Sequence, residues 1–202
     1  MSWINIIPPE EAAGKLKEIY NRVVSPGIRV DNILQAHSLR PHTLEGHMQL
    51  YKNVLHHSSN TLPKWFLETI GVYVSLLNKC NYCVDHHFAG LQKILKGEIN
   101  MLMEIRSALD KDEPQLYFSG KELLLLQYAK KLSLLSSSIT KADIDLLQNN
   151  GIDDGEILEV NQVTAYFCYA NRTVLGLGVN TDGDELGLSP GNNNNPDDWS
   201  HA

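Results

Sequence analysis

Apolar positions recur at steps of three and four along almost the whole chain, and no run alternates as a half-buried strand would. The last long segment shows this most clearly. There Ile157, Val160, Val163, Phe167, Ala170, Val174 and Leu177 lay one apolar stripe along a helix of about six turns. Asp153 and Asp154 suit its N-terminal end, where the helix dipole favours negative charge, and Gly176 and Gly178 suit its stop. The same spacing predicts helices over Pro9–Val24, Asn32–Leu39, Thr43–His57, Pro63–Leu77, Tyr82–Leu95, Glu98–Leu109, Lys121–Leu135 and Lys141–Asn149. Thr61 and Pro63 fit a helix start, and Thr140 caps the helix that Gly151 ends. With short connections, the longest being Lys111–Ser119, and no internal repeat, the pattern predicts one compact all-α domain.

Composition adds limits to that picture. The 202 residues are 43% hydrophobic and 20% charged, as in ordinary soluble globular proteins. A chain of this length buries enough surface to fold without a disulfide or metal staple. The net charge of −7 argues against a generic binder of nucleic acid or anionic membrane. Its distribution says more: all 17 Lys and Arg and 19 of the 24 acids precede Asn180, so residues 1–179 carry −2 and residues 180–202 carry −5. That last segment also holds the run Asn192–Asn195, Pro190, Pro196 and several glycines, which is loop or disorder composition. The all-helical domain is therefore expected to span 1–179, followed by a flexible acidic tail over 180–202.

The N-terminal residues lack the basic and apolar regions of a signal peptide, and no stretch approaches the ~20 apolar residues of a membrane helix. A cytoplasmic protein is expected. In that reducing setting three cysteines do not make a disulfide framework, and the pair Cys80-x-x-Cys83 points instead to redox chemistry or metal binding.

The chemistry concentrates between Glu68 and His87. Asn78 and Lys79 break two helices, so Cys80 and Cys83 fall at or just inside the N-terminus of the second, where unpaired N–H groups favour a thiolate. On that helix His87 projects about 40° from Cys83 and about 20° from Cys80, whereas His86 is about 60° and about 120° away. Helical side chains lean towards the N-terminus, which brings the His87 imidazole over Cys83 and leaves His86 at the edge. If the two helices form an antiparallel hairpin, Glu68 lies level with His87. Glu68 is also the single acid between Glu45 and Asp85, among Leu67, Ile70, Val72 and Val74, so it is expected to be paired or shifted for proton transfer.

The spacing Glu-x11-Cys-x-x-Cys-x3-His resembles the active-site signature of the alkyl hydroperoxidase D and carboxymuconolactone decarboxylase superfamily, with Glu68, Cys80, Cys83 and His87 in register. Within it, the chain is similar to the peroxidase-related branch, with Trp3–Gly14 as the N-terminal lead and Tyr169–Val179 as the final helix. The resemblance implies an all-helical, homo-oligomeric enzyme that reduces hydrogen peroxide or organic hydroperoxides and needs no metal or organic cofactor. It makes Cys83 the peroxidatic thiol, Cys80 the resolving thiol that closes a disulfide, and His87 and Glu68 the proton relay. A dithiol or protein reductant would reopen the disulfide. One departure is Tyr82, which stands where alkyl hydroperoxidase D has a histidine between its cysteines.

Other readings accompany this one. The Cys pair could serve a thiol–disulfide oxidoreductase not specific for peroxide, or a non-catalytic helical protein whose cysteines are inert or hold zinc, with Glu68 or His86 completing the ligand set. Cys168 adjoins the apolar stripe of the last helix and reads as core. His37, His42 and His47, at steps of five, do not align on one helical face, and His56 and His57 adjoin a polar loop.

Overall fold

The computed structural model describes residues 2–24 and 29–201. Met1 and Ala202, the outer ends of the two expected segments, lie outside the described residues together with 25–28. Among the described residues all extended regular structure is helical: α1 (Gly14–Val23), α2 (Asn32–Ala36), α3 (Pro41–Leu55), α4 (Lys64–Leu77), α5 (Asn81–Ile94), α6 (Ile99–Asp110), α7 (Gly120–Leu134), α8 (Lys141–Asn149) and α9 (Asp154–Leu177). Pairing of strand type is limited to isolated bridges. The all-α expectation holds, and most boundaries fall within two residues of those predicted.

The first helix departs from that agreement. It begins at Gly14 rather than Pro9, because residues 8–12 form turns in which the Glu11 and Ala12 N–H groups donate to the Pro8 and Pro9 carbonyls. Both ends of the last helix follow the expected chemistry. Asp153 and Glu156 form a reciprocal capping box at its start, and Gly178, at φ +62°, provides the left-handed residue that ends it.

Helix α4 is the axis of the fold. Phe66, Leu67, Ile70, Val72, Tyr73 and Val74 are all buried, so it is apolar all round, and it packs on α5, α9 and α7. Gly71 permits the close crossing with α9, since a Cβ there would collide with the Phe167 ring. The same ring meets His87 edge-on at 4.6 Å, so the core contact also orients a candidate site residue.

The acidic segment 180–201 has no helix and packs over the helical body as part of its wall. Trp199 is fully buried and Arg22 lies 3.6 Å over its ring centroid. The His201 N–H donates to the Val23 carbonyl at 2.8 Å. Lys52 Nζ donates to the Gly191 carbonyl and, at 3.0 Å, to Asn193 Oδ1. Two buried side chains, Leu188 and Trp199, and these polar ties anchor a stretch whose average composition is that of a loop.

Candidate active site

The α4–α5 junction is a tight reversal built from backbone chemistry. Asn78 caps α4, Lys79 takes the left-handed conformation at φ +59°, and the N–H groups of Lys79 and Cys80 donate to the carbonyls of Leu76 and Ser75 at 3.0 and 2.9 Å. This is a Schellman closure with lysine where glycine is usual, at a cost of about 1 kcal/mol. Cys80 then serves at once as the residue beyond that closure and as the N-cap of α5. Cys83 follows three residues into the new helix.

The two sulfurs lie 3.1 Å apart as free thiols, both buried. Their acidities diverge, although the helix start by itself favours a thiolate at either position. The hydrogen bond between the two sulfurs lowers the Cys80 pKa, with burial opposing it. Cys83 is raised well above the ordinary thiol range, first by its hydrogen bond to Cys80 and then by burial. The N-cap position explains the sense of the split, since the helix end favours charge on the capping atom.

Glu68 and His87 meet as the hairpin geometry requires. The Glu68 carboxylate lies 2.7 Å from His87 Nδ1 and is itself almost fully buried. A carboxylate partner fixes Nδ1 as the protonated nitrogen of neutral His87, which leaves Nε2 as the proton acceptor. His56 Nε2 stands 3.9 Å from the other Glu68 oxygen, and burial keeps His56 neutral by pushing its pKa well down. His86 takes the edge position expected of it, 3.2 Å from Asp184.

Cys83, Glu68 and His87 line one cavity of about 40 Å³, above the ~10–15 Å³ needed for a single water. Cys80 lies behind Cys83 and is not part of that lining. Among the described residues no group of three or more His, Cys, Asp or Glu side chains is arranged to hold a metal ion.

Several contributors escape the sequence pattern. Asn171, on the helix whose apolar stripe was so clear, is fully buried, accepts from Asn78 at 3.0 Å and donates to Ser75 at 3.0 Å. It also lowers both thiol pKa values by hydrogen bonding. A polar residue inside an apolar stripe is the signal that marks it. Tyr51 and Tyr166 stack at 5.4 Å and line the cavity, where burial raises both phenols well above their usual range. His47, Asp31 and His201 complete its far side, and no local spacing could have joined them to Cys83. Cys168 packs at the core margin, with its sulfur near Asn78 and Ser133.

No protein-family model matches the sequence, and no curated protein matches it. Solved structures do match. An uncharacterized peroxidase-related protein from Silicibacter sp. TM1040 is 25% identical, with a TM-score of 0.66 over 77% of this chain and 81% of that one. The alkylhydroperoxidase AhpD core of an uncharacterized peroxidase-related protein from Ralstonia eutropha JMP134 gives a TM-score of 0.77 at 20% identity, over 90% and 93%. The debrominase Bmp8, solved with 2,3,4-tribromopyrrole, gives 0.67 at 15% identity, over 91% and 95%. The chain thus has the alkyl hydroperoxidase D-like helical fold, and its structural neighbours include members of the peroxidase-related branch that the Cys-x-x-Cys signature resembles.

Proposed function

We propose that this chain is a thiol-dependent peroxidase in which Cys83 attacks the peroxide, Cys80 resolves the product, and His87 with Glu68 moves the protons. The observation that supports it most is the convergence of Cys83, Glu68 and His87 on one small cavity, with a second thiol 3.1 Å behind the first.

The steps balance as follows. The Cys83 sulfur forms a bond to one peroxide oxygen as the O–O bond breaks, so sulfur is oxidised and the departing oxygen is reduced. The Cys83 proton passes to His87 Nε2, the Nδ1–H staying on Glu68, and is returned to the departing oxygen as an alcohol or water. Cys80, the more acidic thiol, gives up its proton and attacks the Cys83 sulfenic acid; an S–S bond forms as the S–O bond breaks, and the departing hydroxide takes up a proton, equivalent to the one Cys80 lost, and leaves as water. Because the Cys83 pKa is raised, its attack needs the relay to take the proton as the O–O bond breaks, and the lowered Cys80 pKa favours the later resolving attack.

A dithiol or protein reductant restores the thiols, and the setting is the reducing cytoplasm. A homo-oligomer belongs to the same reading and rests on the resemblance; sedimentation tests it. No helix among the described residues is long and apolar enough to cross a membrane. Peroxide-dependent loss of two thiols per chain in the reduced protein, abolished in Cys83→Ser, is the direct test of the reading.

A further inference from the structure

The segment after α9 does more than cover the body. Asp184 gathers three donors from two elements: Tyr82 Oη–H at 2.7 Å, His86 Nε2 at 3.2 Å, and the Asn32 N–H at 3.0 Å. The first two residues lie on α5 beside the cysteines, and the third opens α2. The Tyr82 hydroxyl also accepts the Ile33 N–H at 3.1 Å, so α2, α5 and the segment are joined at one point. Three residues on, Gly187 lies against α5 at φ +77°, where a Cβ would come within 2.8 Å of the Ala89 carbonyl carbon. Only glycine permits that approach, which brings Gly187, Leu188 and Ser189 into the wall of the Cys83 cavity. At the far end of the segment His201, 3.3 Å from Asp31, lines the same cavity.

The cavity is small, about 40 Å³, and Asp31, His47 and His201 make its far side polar. Asp31 Oδ1 and His47 Nδ1 are buried without a hydrogen-bond partner in the protein. Buried polar groups as a rule find a partner, so the cavity suits a molecule that both donates and accepts hydrogen bonds. Hydrogen peroxide does both and is close to water in size. A tert-butyl or cumyl hydroperoxide brings a bulky apolar group up against Leu188 and the Tyr51–Tyr166 stack, which line a cavity of about 40 Å³.

We infer that the segment 184–201, latched by Asp184 on Tyr82 and His86, is a size filter that restricts the Cys83 cavity to hydrogen peroxide and excludes bulky organic hydroperoxides. The inference rests on the proposed peroxidase reading for its substrate, but the filter itself is a property of access to Cys83.

Two readouts separate the two claims. Reduced parent, Asp184→Ala and Leu188→Ala are each mixed with hydrogen peroxide or cumene hydroperoxide, and thiol loss is followed in a single turnover. In parallel, alkylation of Cys83 by iodoacetamide and by N-phenylmaleimide is followed by peptide mass spectrometry. Asp184→Ala releases the latch, and Leu188→Ala shortens the wall with the latch intact, so a folding defect in one leaves the other informative. The filter predicts that the bulky-to-small rate ratio, for both reagent pairs, rises at least tenfold in both variants. An unchanged ratio in a folded variant, or a parent that accepts bulky and small reagents equally, overturns it. If the parent reacts with neither peroxide while the alkylation ratio rises as stated, the filter stands and the peroxidase reading fails.

Discussion

The Glu68 carboxylate lies 2.7 Å from His87 Nδ1, across two helices that the Cys80 reversal folds back on each other. Nineteen residues separate the two in sequence. If Glu68 acts by fixing the tautomer and stabilising the protonated imidazole, its removal must act through His87. Glu68→Gln and His87→Gln are each expected to slow the reaction of Cys83 with peroxide by about 10²-fold or more. The double variant should be no slower than His87→Gln alone, since residues that work as a unit are not additive. Stopped-flow rates for the four proteins check this, and fully multiplicative losses would separate the two residues.

The thiol pair makes a prediction of opposite sign at its two members. Removing Cys83 takes away the hydrogen bond that lowers Cys80, so the Cys80 pKa should rise in Cys83→Ala. Removing Cys80 takes away the hydrogen bond and the neighbouring charge that raise Cys83, so the Cys83 pKa should fall in Cys80→Ala. Thiolate absorbance against pH measures both shifts. Movement in the same direction in the two variants would contradict the divergence of the two thiols.

The histidines around the cavity tie stability to pH. Burial pushes the His47 pKa down to about 3, with His37 and His201 contributing, and burial also lowers His37 and His56. Each folded pKa lies below the unfolded value near 6.5, so the unfolded chain binds more protons in the interval between them. Their contribution is complete above about pH 6.5 and declines as pH falls, for His47 down to about pH 3. Each fully neutral histidine adds a slope of roughly 1.4 kcal/mol per pH unit. Denaturant unfolding from pH 7 to 4 should show that slope reduced by one proton in His47→Gln.

The C-terminal wall should count in global stability. Trp199 is fully buried under Arg22, so Trp199→Ala is expected to destabilise the protein by roughly 3–5 kcal/mol, as for other buried aromatic truncations. A change within about 0.5 kcal/mol, typical of surface sites, would show that the segment is detached in solution.

The helices and the hairpin were legible because they depend on local terms: three- and four-residue spacing, caps at Asp153 and Thr140, and a break at Asn78–Lys79. Glu68 and His87 could be paired by counting outward from that break. Two features were hidden for physical reasons. Thiol acidity depends on which sulfur caps the helix and which receives the hydrogen bond, a difference of a few ångströms that spacing does not carry. The C-terminal segment was misleading because its average composition is polar, while its attachment is made by a few residues, Asp184, Gly187, Leu188 and Trp199, each meeting a partner far away in sequence.

Peroxide consumption in the presence of a dithiol reductant, measured for the parent, Cys83→Ser and Cys80→Ser, decides whether Cys83 is the peroxidatic thiol. The account predicts turnover in the parent, none above background in Cys83→Ser, and in Cys80→Ser a single oxidation of Cys83 without formation of the intramolecular disulfide. Equal peroxide consumption by the parent and Cys83→Ser would contradict it.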